Sequence, residues 1–337
     1  MLKNKIKQFI KEQCGDPAIG IGDVSDLRPQ EVEHLKKTNE IMGKYSAIFD
    51  PETPVLHPKE FLDNAKSIIV IGGNGYFERP ELPGDPPRGL FMNFFVNPGL
   101  LTYAASMSDK ITTFLSEQGY QGVAVPNGIP LKIMAARSGL GTYGKNGIIQ
   151  TSGRGSWLLL NVIITDAALE PDEPLEDACG GCTKCQEACL THALDTPYSC
   201  EIEKCITLHA IYNQAEIPEG IQDNMGTCIA QCCACIDACP KNSKLTFQTE
   251  VNVPEDLVYP EIAPLVNMTE ETFQVKYGGS FLEFVMTDKK YLQRNATIAI
   301  GNYGDPGYAP MLYQALETQS EEVVRTVAAR SLEKLIK

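Results

Sequence analysis

Two short runs of cysteine carry the clearest chemistry in the chain. The first is Cys179-Gly-Gly-Cys182-Thr-Lys-Cys185-Gln-Glu-Ala-Cys189, spaced C-x2-C-x2-C-x3-C. The second is Cys232-Cys233-Ala-Cys235-Ile-Asp-Ala-Cys239-Pro240, which contains C-x2-C-x3-C-P. This is the bacterial two-cluster ferredoxin arrangement, in which three thiolates of a tight loop bind one 4Fe-4S cluster and the fourth, one turn further on, binds the other. The spacing assigns Cys179, Cys182, Cys185 and Cys239 to one cluster and Cys189, Cys232 and Cys235 to the second. Ala230 stands where a spare cysteine would precede Cys232, so the last ligand must be remote. Cys205, Cys228, Cys200 and Cys233 are the alternatives. Leu190 takes the place of the usual proline after Cys189, which removes no ligand.

Of the twelve cysteines, all but Cys14 fall between residues 179 and 239. A scattered disulfide framework does not have this distribution, and clustered thiols in a reducing compartment bind metal. Zinc favours two C-x2-C pairs about a dozen or more residues apart, so four cysteines within one short run fit a cuboidal cluster better. No C-x-x-C-H string exists for haem attachment. Cys14 reads as a buried apolar residue. Two clusters that exchange ligands lie close enough to pass electrons, and the long segment before them is expected to house the acceptor.

The elements that position these loops follow from the pattern of apolar residues. The chain has 337 residues, 43% hydrophobic and 21% charged, ordinary values for a folded protein. No apolar run approaches the ~18 residues of a membrane span, and the N-terminus is too charged for a secretory signal. The expected location is the cytoplasm, with no membrane partner. The N-terminal segment reads as an amphipathic helix with Ile6, Phe9 and Ile10 on one side, and residues 1–60 as polar and helical, broken by Gly20, Gly22 and prolines. Ser67–Ile71, Gly122–Val125 and Trp157–Ile164 read as strands, and Ser106–Gln118 and Leu131–Arg137 as helices. The expected organisation is an α/β cofactor and substrate domain over 1–165 and a ferredoxin-like module over 166–245, entered by an acidic linker. A C-terminal segment, 246–337, carries helices at Asp288–Gly301, Tyr308–Glu317 and Glu321–Ile336 with HEAT-like spacing.

Ser138–Gly147 (SGLGTYGKNG) follows a helix. It is therefore neither a Rossmann fingerprint nor a P-loop, and its backbone amides suit close approach to a large cofactor. Taken in order, SGLGTYGKNGII, GSW at Gly155–Trp157, the linker with Asp172, CGGCTKCQEAC, KCITLHAIYNQAEIPEG, CCACIDACPKN and RNATIAIGN resemble the epoxyqueuosine reductase family over most of the chain. The resemblance implies a nitroreductase-like α/β scaffold holding cobalamin beside a module with two 4Fe-4S clusters. It implies Cys205 as the remaining cluster ligand, and Gly144, Lys145, Asn146, Ser152 and Ser156 as cofactor-facing positions. It also implies an anaerobic reductase fed by a ferredoxin or flavodoxin.

One departure stands out. The family places an aspartate proton donor just before the helix that leads to the glycine loop, whereas Ala124–Pro130 (AVPNGIP) contains no acid. Asn127 is at the matching stretch, and Tyr76, Tyr103 and Tyr143 are the other candidates for proton delivery. The net charge of −14 would repel a polyanion. Together these features point to a small-molecule or modified-base substrate, reduced by a corrinoid, and away from tRNA. The alternatives are an electron-transfer or corrinoid-reducing activator, and epoxyqueuosine reduction on tRNA. His192, just after Cys189, is expected to tune the cluster surroundings.

Overall fold

A computed structural model describes residues 2–46, 49, 57–76, 84–91, 93–125, 129–177, 179–243, 245, 251–252 and 254–337. A four-stranded sheet, in the order β1-β2-β6-β3, organises the N-terminal half: β1 (Ala18–Gly22), β2 (Ser67–Asn74), β3 (Gly122–Val125) and β6 (Leu158–Thr165). Every neighbouring pair is antiparallel. The centre is β2 against β6, with Val70 opposite Val162 and Ile68 opposite Ile164. These apolar runs have no polar alternation because both faces of the sheet are covered.

One face meets the helices Leu2–Gln13 and Pro98–Glu117, with Ile6, Ile10, Ile69, Ile71, Ile111 and Ile163 buried between them. The other packs on the helix Leu131–Arg137 and on the loop that follows it, through Val70, Val125, Met134, Leu140 and Val162. Two short strands, β4 (Thr142–Tyr143) and β5 (Ile149–Gln150), form a hairpin around Gly144–Ile148. The expected strands and helices are therefore present, with one correction. The region 1–60, read as helical, contains β1 on the edge of the sheet. Its Ala-Ile-Gly-Ile-Gly sequence is too interrupted to signal a strand, and pairing with β2 supplies what propensity does not.

The C-terminal half is helical, ending in Lys289–Tyr303, Ala309–Thr318 and Glu322–Ile336. These helices share one core with the cysteine segment, where Ile211, Ile229, Ala230, Cys233 and Ile236 pack with Leu292, Ala296 and Ile300. Arg294, fully buried, fastens the two. Its guanidinium donates to the carbonyls of Asn213 (2.8 Å), Ala215 (2.6 Å) and His209 (3.1 Å). Asn295 adds bonds to the carbonyls of Ala210 and Ile229. Two of these acceptors, His209 and Ala210, lie in a π-helical turn, Leu208–Tyr212. Among the described residues no helix is long and apolar enough to cross a membrane.

Candidate functional site

The two cysteine runs fold as copies of one another. In the first, Gln186 and Glu187 donate their amides to the Thr183 carbonyl, Ala188 to Lys184, and Cys189 to Gln186. In the second, Ile236 and Asp237 donate to Cys233, Ala238 to Ala234, and Cys239 to Ile236. Each run is thus a loop, one helical turn (Lys184–Glu187 or Ala234–Asp237) and a final cysteine just past that turn. The two turns lie side by side. In this correspondence Ile229, and not Ala230 as read from the spacing, occupies the place of Cys179, and it is fully buried in the core. The second run therefore offers one thiol fewer.

The thiols gather into two neighbouring groups. Burial raises Cys185 above the ordinary thiol range, and Cys179, Cys239 and Cys182 raise it further. Cys232 is raised by burial and then by Cys205 and Cys189, and Cys235 is pushed up to about 12 by burial and then by Cys232 and Cys205. Cys185 also acts on Cys235, which makes the groups adjacent. The eight cysteines named from the sequence thus lie within these two groups, with Cys200, Cys228 and Cys233 bordering the second. All twelve cysteines are free thiols. Among the described residues no three His, Cys, Asp or Glu side chains converge as donors to a single metal ion. A four-iron cube makes no such demand, since each iron takes its own thiolate.

The remaining alternatives are placed differently. Cys233 is buried in the hydrophobic core and Cys228 is raised well above the thiol range by burial. Cys200 hydrogen-bonds to the Cys205 side chain, and that bond, helped by the amides of Thr207 and Leu208, holds Cys205 below the ordinary thiol value despite its burial. Cys14 is buried, as expected. His192 is exposed, in a left-handed conformation, and pairs with Asp195 at 3.3 Å.

The glycine loop grips the first run. Lys145 Nζ donates to the carbonyls of Gly180 (2.7 Å) and Cys182 (2.9 Å), and Gln150 Nε2 donates to Cys179 Sγ at 3.2 Å. Asn146 turns inward, its Oδ1 accepting from the Ile148 amide. The second run is gripped by the GSW turn, where Ser156 N donates to Asn242 Oδ1 at 2.9 Å. Gly155, at φ +58°, permits this approach: a Cβ there would lie 1.9 Å from Asn242 Oδ1. Ser152 lies exposed in the same turn. Beside Gly147 and Gly153 the backbone opens on free space, whereas Gly144 and Gly155 are packed closely by Asn146 and Asn242.

The linker is anchored by Asp172, whose carboxylate takes Lys3 (2.8 Å), Lys7 (2.6 Å) and the Ile21 amide (2.9 Å). At its end, Asp177 caps the first loop by accepting the amides of Cys179 and Gly180 and the hydroxyl of Tyr198. Gln150, Asn242 and Asp177 were not singled out from the sequence. Only a polar residue at the end of the apolar run Gly147–Gln150 hinted at the first of them.

Of the proton-donor candidates, Asn127 lies outside the described residues. The Tyr103 hydroxyl donates to the Cys14 carbonyl at 3.0 Å. Burial, with Glu31 nearby, pushes Tyr143 up to about 12, opposite to the lowering that eases proton donation. Tyr76 stands edge-on to Trp157 of the GSW turn.

No family model matches the chain. It is 34% identical over 330 residues to the epoxyqueuosine reductase of Bacillus cereus, covering 94% of this chain and 86% of that protein. Its fold superposes on epoxyqueuosine reductase from Bacillus subtilis, solved with its catalytic aspartate loop swung out of the active site, at a TM-score of 0.82 and 26% identity over 99% of both chains. An epoxyqueuosine reductase solved with an epoxyqueuosine-modified tRNA-Tyr stem loop gives a TM-score of 0.83 at 24% identity, covering 100% of this chain and 99% of that one. These likenesses overturn the expectation of a small-molecule substrate with tRNA disfavoured. That expectation leaned on net charge, a sum over the whole surface that does not describe the local patch a nucleic acid meets. The chain is an oxidoreductase and belongs to the epoxyqueuosine reductase family.

Proposed function

We propose that this protein is a cobalamin-dependent iron–sulfur reductase that acts on epoxyqueuosine in tRNA. The observation that carries the reading is the division of eight thiols into two adjacent groups in a chain of this family. One 4Fe-4S cluster is held by Cys179, Cys182, Cys185 and Cys239, and the other by Cys189, Cys205, Cys232 and Cys235. Cys205 completes the second set because buried Ile229 vacates the position that Cys179 fills in the first. The open backbone at Gly147 and Gly153 supports cobalamin beside Gly144, Lys145, Asn146, Ser152 and Ser156. When bound, the clusters supply single electrons and the corrinoid supplies the strongly reducing centre.

The chain's own part is positioning. Lys145 and Asn242 fix the two cysteine runs against the loops that face the cofactor. Reducing an epoxide to an alkene consumes two electrons and two protons and releases water. No acid is present in Ala124–Pro130. With Tyr103 bonded to a carbonyl and Tyr143 raised, Tyr76 at the GSW turn is the tyrosine we assign to proton delivery. The test is anaerobic incubation of cobalamin-loaded protein with an epoxyqueuosine-modified tRNA stem loop and dithionite. Loss of one oxygen from the nucleoside, read by mass spectrometry, is the expected result. Unchanged nucleoside, with irons and corrin both in place, would overturn the substrate assignment.

A further inference from the structure

Gln150 is a polar side chain only 4% exposed, at the end of β5. Its backbone is held in register by pairing with Thr142 across the hairpin. A buried amide must find a partner, and this one donates Nε2–H to Cys179 Sγ at 3.2 Å. The hairpin that carries it also carries Lys145, which is bonded to the carbonyls of the same cysteine loop, so donor and acceptor are held on a common frame. A hydrogen bond to a ligand sulfur stabilises the state with more negative charge, which is the reduced cluster. The nearby Asp177 carboxylate acts in the opposite sense, placing a negative charge on the amides of Cys179 and Gly180.

We infer that Gln150 is a positioning residue that raises the reduction potential of the first cluster through its hydrogen bond to Cys179. This rests on the cluster assignment proposed above.

The test is a redox titration of the anaerobic protein, followed by electron paramagnetic resonance, for wild type, Gln150→Met and Gln150→Leu. The two variants lack the donor but differ in shape. With eight irons retained, one of the two reduction waves should move to lower potential by about tenfold in its equilibrium constant, roughly 59 mV for one electron, while the other stays. An exchangeable proton coupled to that cluster in the wild type should vanish in both variants. Unmoved waves would overturn the inference. So would loss of iron from both variants, which would assign Gln150 to holding the loop. A wild-type protein without iron would instead end the cluster assignment itself, so the two failures are told apart by the iron content of the unmodified chain.

Discussion

Lys145 donates its ammonium to the carbonyl oxygen of Cys182 at 2.9 Å, which ties the glycine loop of the α/β layer to the first cysteine loop. A second bond from the same nitrogen, to Gly180, closes the clamp. Hydrogen bonds from a charged donor contribute on the order of 2 kcal/mol each. Lys145→Met should leave the fold intact and loosen only the first cluster. Under mild chelation, iron should fall from about eight to about four per chain faster than in wild type, followed by the loss of visible absorbance.

Cys205 and Cys228 lie near one another; Cys205 accepts the amides of Thr207 and Leu208 and acts on both Cys232 and Cys235, whereas Cys228, with one amide from Ala230, is driven well above the thiol range by burial. Cys205→Ala should retain about four irons, and Cys228→Ala about eight. Iron analysis of the two variants prepared side by side checks this, and the reverse pattern would reassign the ligand.

Asp172 joins the linker to the N-terminal helix and to β1. Burial raises its carboxyl, but hydrogen bonds from Lys3, Lys7 and the Ile21 amide outweigh this and hold it below the usual carboxylate range. A depressed value in the folded state contributes stability above the unfolded value, near 4, and loses it as pH falls through the folded one. Asp172→Asn should cost about 1 kcal/mol at pH 7, given the partial exposure of the ion pairs. Denaturant titrations should show that gap closing below about pH 4.

Gly155 stands where the GSW turn meets the second cysteine run. Gly155→Ala adds a Cβ that collides with Asn242 Oδ1 at a backbone angle of φ +58°. Strain of this kind costs on the order of 1–3 kcal/mol. Thermal unfolding should fall by several degrees, and the second run should lose contact with Ser156, which tryptophan fluorescence from neighbouring Trp157 would report.

Much of this was legible in the sequence because it is local. The cysteine spacing is set by one loop and one helical turn, so seven of the eight thiols could be named before the fold was seen. The apolar cores of β2 and β6 declare themselves, as do the terminal helices. What stayed hidden depends on distant partners. β1 forms because β2 offers it a ladder, despite two glycines. Gln150 reaches Cys179 and Asn242 reaches Ser156 across long separations in the chain, and no periodicity signals such pairs. Cys205 was suggested by resemblance, and its physical reason emerges only when the two runs are compared and Ile229 is found in the place of a ligand. The tRNA expectation failed for a related cause, since summed charge is legible but its placement is not.

The central claim is that two four-iron clusters fill the paired thiol groups. Protein purified without oxygen should contain about eight irons and about eight acid-labile sulfides per chain, with broad visible absorbance that bleaches under dithionite. A chain free of iron, or one carrying zinc on the same cysteines, would contradict the account.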